Sequence, residues 1–124
     1  MNEDRELLEL AAFAAGIPVQ WEPVHGCFWI ELGHGLEAKP WVPLDDDGDA
    51  FRLGVDLKIY HMVYDGYFSI PSGLSFPDGY VMVANRSLVS EWVSLSGIGP
   101  LAAIRRGIVL VAAEIGKQMK EQGK

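Results

Sequence analysis

Four aspartates crowd one short stretch of the chain, Trp41-Val42-Pro43-Leu44-Asp45-Asp46-Asp47-Gly48-Asp49, directly ahead of a run of apolar residues with helical spacing. Ca²⁺ and Mg²⁺ bind to carboxylate oxygens, so this aspartate cluster (Asp45, Asp46, Asp47 and Asp49) could hold a divalent ion. Its spacing differs from that of an EF-hand loop, in which a glycine follows the third ligand position, because here Gly48 precedes Asp49.

A helix N-terminus favours the same residues. An aspartate at the cap accepts hydrogen bonds from backbone N–H groups that have no partner within the helix, and further acids oppose the positive end of the helix dipole. Asp46 followed three residues later by Asp49 resembles a capping box with a shorter acid at its far end, and Asp45 is an alternative cap. We predict that the cluster caps a helix over Asp46–Leu57 and binds no metal.

The other residues that could bind a metal or act as nucleophile and base are His25, Cys27, His34 and His61. Their order lacks the paired short spacings of zinc sites. His25 and Cys27, placed on one strand, would project to the same face about 7 Å apart, which is too far for a nucleophile and its base. We predict no catalytic residue, no cofactor and a non-enzymatic protein.

Large aromatic residues are more numerous than a core of this size readily holds. They are Trp21, Trp29, Trp41, Trp92, Tyr60, Tyr64, Tyr67 and Tyr80. Trp and Tyr are favoured anchors of protein interfaces, but the same rings could close the rims of a sheet. Both alternatives stay open, and the surplus is compatible with a homodimer.

The candidate partner surface is Trp41 together with the carboxylates that follow it, because an aromatic anchor supplies affinity while charge steers the approach of a partner. Its residues are Trp41, Asp45, Asp46, Asp47 and Asp49. A buried Trp41 would instead be the plug that fixes the loop ahead of the helix.

Hydrophobic periodicity predicts the elements that position these residues. Helices are predicted over Asn2–Ala15, Asp46–Leu57 and Pro100–Met119. Strands are predicted over Ile17–Glu22, Cys27–Leu32, Ile59–Tyr64, Tyr67–Ile70 and Tyr80–Ala84, with a loop over 33–44. Leu88–Leu95 is compatible with a strand or a helical turn, and its branched and aromatic residues favour a strand.

Three local patterns make sharper predictions. Asp65-Gly66 between two β-rich runs predicts a two-residue type I′ hairpin. Gly54 inside a helix predicts close packing at that point, since glycine weakens an isolated helix. The last helix repeats its apolar residues at spacings of three and four, over Leu101, Ile104, Ile108, Val111 and Ile115. We predict that Ile104, Ile108, Val111 and Ile115 are largely buried against the sheet.

Composition limits the class of protein. A chain of 124 residues, 49% hydrophobic and 22% charged, predicts one globular domain over residues 1–124. A net charge of −7 disfavours direct nucleic-acid binding. One cysteine fits a reducing compartment, the acidic N-terminus is unlike a signal peptide, and the apolar run Gly107–Ala113 is too short to span a bilayer. We therefore expect a soluble, cytoplasmic protein.

The chain resembles a family of small proteins encoded by tailed phages and prophages, known as phage ABA-sandwich or NinX-like proteins. The resemblance is carried by three stretches, which are Leu7-Leu8-Glu9-Leu10-Ala11-Ala12, Trp41-x-Pro-Leu with Asp46-Asp47-Gly48-Asp49-Ala50-x-Arg52-Leu53, and Ala103-Ile104-Arg105-Arg106-x-Ile108-Val109-x-Val111-Ala112-Ala113-Glu114-Ile115-Gly116. They cover about a quarter of the chain. The family has Ser or Thr where this chain has Asp45, a difference that keeps the capping chemistry.

The resemblance implies an α-β-α layered sandwich and no assigned catalytic residue. With the element order, it predicts an α+β fold in which three helices flank an antiparallel sheet of about four to six strands. We expect a phage- or prophage-derived accessory protein in the cytoplasm of the bacterial host, binding a phage or host protein. The alternatives are an inhibitor of a host defence or nucleic-acid machine that uses an acidic surface, and a divalent-metal-dependent enzyme that uses the aspartate cluster.

Overall fold

Within its described residues, the protein has three helices and eight strands, which confirms the predicted α+β class. The computed structural model describes residues 2–30, 38–65, 68–69, 75–76, 78–85 and 89–123. The helices are α1 (Asn2–Ala15), α2 (Asp47–Asp56) and α3 (Gly99–Gln122). The strands are β1 (Val19–Glu22), β2 (Cys27–Ile30), β3 (Lys39–Trp41), β4 (Ile59–Asp65), β5 (Phe68–Ser69), β6 (Ser75–Phe76), β7 (Gly79–Asn85) and β8 (Ser90–Ser94).

The strands form two three-stranded antiparallel sheets, which corrects the prediction of one larger sheet. The first sheet has the order β1-β2-β3, the second has the order β4-β7-β8, and β5 pairs with β6. β1, β2 and β3 follow one another closely and pair as neighbours, whereas α2 separates them from β4. β3 lies inside residues 33–44, where the Gly and Pro residues predict a loop. β8 confirms the strand predicted within Leu88–Leu95.

β4 pairs with β7 along its whole length, and Tyr64 lies opposite Tyr80. A two-residue turn on Asp65-Gly66 would have paired β4 with β5, but β5 pairs with β6, so that prediction is wrong. Gly66 and Tyr67 themselves lie outside the described residues. The β5–β6 ladder continues the register of β4 and β7. Cross-strand pairs over the full length of β4 outweigh the preference of one dipeptide for a tight turn.

α3 packs against α1, α2 and the second sheet, and its buried surface is wider than the stripe that its spacing predicts. Ile108 and Val111 are buried as predicted, and Ile104 and Ile115 are partly buried. Leu101, which begins the repeat, is exposed. Alanine and valine residues beside the stripe are also buried because elements cover more than one side of this helix.

Two glycines of α3 allow neighbouring elements to approach its backbone closely. A Cβ at Gly107 would overlap the Val83 side chain of β7, and a Cβ at Gly116 would overlap the backbone carbonyl of Leu10 in α1. A side chain can rotate away, whereas a helix carbonyl is held by the helix that contains it. Gly116 is therefore the stricter requirement, and it sets the distance between α1 and α3.

Gly54 of α2 is a different case. It is buried against α3, as predicted, but a Cβ there would meet the Ile108 side chain at 3.7 Å, which is an ordinary contact distance. The packing at this point therefore leaves room for a methyl group.

Candidate functional site

The aspartate cluster lies at the start of α2, and Asp46 is the N-cap residue. Its backbone is extended (φ −116°, ψ 121°), and its carboxylate accepts a hydrogen bond from the Asp49 N–H at 2.7 Å. In a full capping box the Asp49 side chain would bond in return to the Asp46 N–H. That N–H instead donates to the Val42 carbonyl at 2.8 Å, so only half of the box is formed.

Asp49 is a buried carboxylate that fastens the preceding loop to α2. Only 6% of Asp49 is exposed. One of its oxygens accepts a hydrogen bond from the Val42 N–H at 2.9 Å, and the other accepts one from the Arg52 guanidinium at 2.6 Å. Burying a carboxylate is unfavourable unless its oxygens are bonded. Both oxygens of Asp49 are thus engaged in holding this part of the fold together.

Asp47 connects α2 to α3 through Arg105. The Asp47 carboxylate contacts Nη1 of Arg105 at 2.6 Å, and Nε of Arg105 donates to the Leu44 carbonyl at 2.9 Å. Arg105 therefore joins the loop and the start of α2 to the last helix. The Asp45 side chain is exposed and, within the described residues, makes no hydrogen bond or ion pair.

Trp41, the predicted aromatic anchor, is buried. Only 3% of it is exposed, and it lies opposite Phe28 in the first sheet, within the hydrophobic core. A binding anchor must reach its partner, so Trp41 does not belong to an exposed surface. The structure favours the alternative, in which this ring packs into the core and holds the loop ahead of α2 in place. Of the five predicted surface residues, Asp45, Asp46 and Asp47 are exposed.

The candidate metal ligands and nucleophile do not converge. No group of three His, Cys, Asp or Glu side chains in the described part of the chain is placed to hold a metal ion. His25 bonds to Glu22 rather than Cys27. Burial acts to raise the pKa of Glu22, but the hydrogen bonds that it accepts from His25 and Val24 lower that pKa below its usual value. His34 lies outside the described residues.

A groove of about 430 Å³ lies between α1, the β1–β2 turn and the segment that follows β3. The Trp21 ring in its wall is covered by the Arg5 guanidinium, 4.4 Å from the ring centroid. The Asp4 carboxylate at its rim is paired with Arg106 at 3.1 Å. These internal pairs use polar groups that would otherwise orient a ligand.

In the described part of the chain, the second sheet has a helix against one face and no helix against the other. α3 lies on the face that holds Val83 and Val93, because a Cβ at Gly107 would meet both side chains. The opposite face, named the open face, is formed by alternate residues of the three strands. Its residues are Tyr60, Met62, Tyr64, Tyr80, Met82, Ala84, Ser90, Trp92 and Ser94. None of them is charged.

Three aromatic rings stack across the open face. Tyr80 lies between Tyr64 and Trp92, with ring centroids 4.6 and 4.7 Å apart and ring planes inclined by 20° and 9°. Burial raises the pKa of the Tyr80 hydroxyl, and the neighbouring Tyr64 raises it further. Stacked pairs contribute about 0.5–1.5 kcal/mol each beyond burial, so the stack stiffens the sheet.

The outer rings of this stack remain accessible to solvent. Tyr64 and Trp92 are 37% and 42% exposed, and the nearby Tyr60 is 50% exposed. At about 150–250 Å² per aromatic side chain, these fractions leave roughly 200–300 Å² of ring surface in contact with water. Isolated exposed apolar residues are ordinary, whereas the largest contiguous patch on a protein of this kind is often functional.

The sequence points to this surface only in part. The surplus of aromatic residues is visible, but it does not say which rings are exposed. The available signal is the matched alternation of Tyr60, Met62 and Tyr64 with Tyr80 and Met82, which places all five on one face once the strands are paired.

Comparison of the chain with models of known families, with curated proteins and with solved structures found no match. The resemblance to phage proteins therefore stays a prediction. None of the helices in the described part of the chain combines the length and the apolar character that a bilayer crossing needs.

Proposed function

We propose that this chain is a non-enzymatic protein-binding module and that its contact surface is the open face of the second sheet. The observation that supports this proposal is the contiguous exposure of Tyr60, Met62, Tyr64 and Trp92 on a face without charge. Interface cores are depleted in charged residues and enriched in Tyr, Trp and Met. Rings held by stacking and by strand pairing lose little conformational entropy on binding.

The proposal includes a biological setting. The three stretches that resemble phage and prophage proteins support a phage- or prophage-derived accessory protein that acts in the cytoplasm of a bacterial host. The partner would be a protein of the phage or of the host. We also propose the α-β-α layered arrangement that the same resemblance implies.

An acidic inhibitor of a host defence or nucleic-acid machine is the second candidate. The net charge of −7 and the exposed Asp45, Asp46 and Asp47 favour it. It ranks lower because Asp46 is engaged as a cap and Asp47 is paired with Arg105. Such pairing reduces the negative field that would imitate a phosphate backbone.

Capture of partners from bacterial lysate by immobilised protein tests the proposal. Tyr60→Lys places a charge in the proposed contact surface, at a half-exposed ring outside the stack. Val24→Lys is the matched control, since Val24 is 85% exposed in the β1–β2 turn. We expect Tyr60→Lys to lose the proteins that the wild type and the control both retain. Retention of the same proteins by all three would remove the open face as the site.

The same assay separates the alternatives. An Asp45→Asn variant should capture the wild-type set if the open face binds, and should lose it if an acidic surface binds. Calorimetric titration with Ca²⁺ and Mg²⁺ addresses the metal-dependent enzyme. We expect no dissociation constant tighter than millimolar, because the Asp49 oxygens are both engaged in hydrogen bonds. A micromolar constant would favour the enzyme.

A further inference from the structure

β4 is an edge strand of the second sheet. In the described part of the chain, β7 pairs with one side of β4, and no strand pairs with the other. An edge strand presents a row of unpaired backbone N–H and C=O groups, which makes it a template for another strand. Both of its faces are accessible at the middle of the strand, where Met62 is 47% exposed and Val63 is 41% exposed.

Apart from its last residue, Asp65, β4 lacks the devices that usually protect an edge. In soluble proteins, charged residues, proline, bulges or a short strand length prevent such strands from pairing with another chain. Residues Ile59–Tyr64 contain no Lys, Arg, Asp, Glu, Pro or Gly, and the pairing with β7 runs without a bulge over all seven residues of the strand. The opposite edge, β8, is shorter and carries the charged residue Glu91.

The exposed run Tyr60-His61-Met62-Val63-Tyr64 is nearly symmetric about its centre. A two-fold axis through Met62 would place β4 antiparallel to β4 of another copy, with Tyr60 opposite Tyr64 and Met62 opposite itself. Such isologous contact is the commonest form of homodimer interface. A heterologous strand would have no reason to match this symmetry.

The fold already contains the cross-strand pairs that this arrangement would repeat. Within one chain, β4 and β7 set Tyr64 opposite Tyr80, with stacked rings, and Met62 opposite Met82. Tyr–Tyr and Met–Met pairs therefore fit the spacing of the open face. A second copy would extend both rows across the axis.

Charge also favours a second copy at this place. Each chain carries a net charge of −7, so two copies repel each other unless they meet where carboxylates are absent. The Ile59–Tyr64 run and the open face beside it meet this condition, and Asp65 at the end of β4 would lie opposite Ile59 of the other copy rather than opposite a carboxylate. A basic partner would instead be drawn to the acidic parts of the surface.

We propose that two copies of this chain associate by antiparallel pairing of β4 with β4 about a two-fold axis at Met62. The product is one six-stranded sheet of order β8-β7-β4-β4-β7-β8, whose open face is twice that of one chain. This inference deepens the proposed function and rests on it, because the doubled face is the contact surface that a partner meets.

Sedimentation of the purified protein tests the pairing and its register. We expect the mass to rise with concentration from one chain of 13.6 kDa to twice that value. Met62→Lys and Met62→Glu each place like charges opposite each other at the axis, which is destabilising. Each variant alone should therefore halve in mass at concentrations where the wild type is dimeric, while an equimolar mixture should regain the dimer. Val24→Lys should sediment like the wild type.

Other results would overturn the proposal. These are a wild type that stays monomeric at every concentration, a Met62→Lys variant that remains dimeric, or a mixture that fails to regain the dimer. Circular dichroism of each variant separates loss of pairing from loss of folding, and the mixture does so independently, because unfolded chains would not reassemble.

Crosslinking provides a second measure of register. In a Cys27→Ser background, Met62→Cys would face its own copy with Cα atoms about 4.5–5.5 Å apart, within the range of a disulfide. Tyr60→Cys is the control, since its counterpart would lie roughly 13 Å away along the strand. Oxidation should give a covalent dimer with Met62→Cys alone, and the reverse result would refute the register.

The outcomes remain distinct from those of the capture experiment. A dimer that captures nothing would leave the pairing intact and remove the proposed function. A monomer that captures a partner through Tyr60 would leave the function intact and remove the dimer.

Discussion

Replacing Asp49 with Ala should be the most destabilising single change in the aspartate cluster. The change removes the acceptor of the part-buried Val42 N–H and one end of the Arg52 ion pair. A buried N–H left unpaired costs about 1–3 kcal/mol, and an ion pair to a largely exposed arginine contributes about 0.2–1 kcal/mol. We therefore expect the free energy of unfolding to fall by about 1–4 kcal/mol.

The other aspartates supply matched controls, because each change to Ala removes one negative charge. Loss of the Asp46 cap should cost about 1 kcal/mol. Loss of the Asp47–Arg105 pair, in which Asp47 is well exposed, should cost about 0.2–1 kcal/mol. Asp45→Ala should stay within about 0.5 kcal/mol of the wild type, since this side chain has no partner in the described structure.

Urea denaturation followed by circular dichroism measures this order. The slope of the transition should stay constant across the series, so that shifts of the midpoint report stability alone. If Asp45→Ala and Asp49→Ala had equal midpoints, net charge rather than hydrogen bonding would govern the change in stability. An unchanged midpoint for Asp49→Ala would refute the role assigned to its two hydrogen bonds.

Four further changes test the packing and the electrostatics. Gly116→Ala should lower the free energy of unfolding, measured by urea denaturation, by at least about 1–3 kcal/mol, the usual cost of an overpacked core, because the obstacle is a backbone carbonyl. Gly54→Ala should raise that free energy by up to about 1 kcal/mol, because a methyl group fits there. Trp41→Ala should cost about 3–5 kcal/mol, and a smaller loss would place the ring outside the core. Burial raises the pKa of Glu91, and Glu114 raises it further. Because the pKa of Glu91 is raised in the folded state, its protonated form stabilises the fold at low pH. This stabilisation is lost as the pH rises through the folded-state pKa. Glu91→Gln should therefore raise the melting temperature at pH 7 but leave it unchanged below the ordinary glutamate pKa of 4.5, and equal melting temperatures at pH 7 would contradict the shift.

The helices are predictable from the sequence because their signals are local. α1 ends at Ala15, where Gly16 takes a left-handed conformation at φ 68° and Pro18 follows two residues later. Asp46 caps α2 through a bond to a residue three positions ahead. Periodicity and capping depend on neighbours in the chain, so one sequence contains enough information to place both ends.

The sheets are less predictable because strand pairing depends on distant residues. The Asp65-Gly66 dipeptide has the chemistry of a hairpin turn, yet β4 pairs with β7, more than a dozen residues further along. Trp41 and Trp92 show the same limit at the candidate site. Both lie in short strands, but one faces the core and the other faces solvent. Their exposure follows from which sheet each strand joins and on which face the helices pack.

β4 has a largely apolar sequence, typical of a strand that is covered on both faces, although both of its faces are accessible at the middle of the strand. A sheet strand with one solvated face alternates apolar and polar residues, whereas a strand buried on both sides is apolar almost throughout. Ile59 and Val63 belong to the inner face and Tyr60, Met62 and Tyr64 to the open face, so apolar side chains occupy both. Local pattern and fold agree along α1. Sites where the two disagree are where function is expected. The disagreement in β4 is removed if another protein surface covers the open face, which is why binding, rather than chemistry at the aspartate cluster, accounts best for this strand.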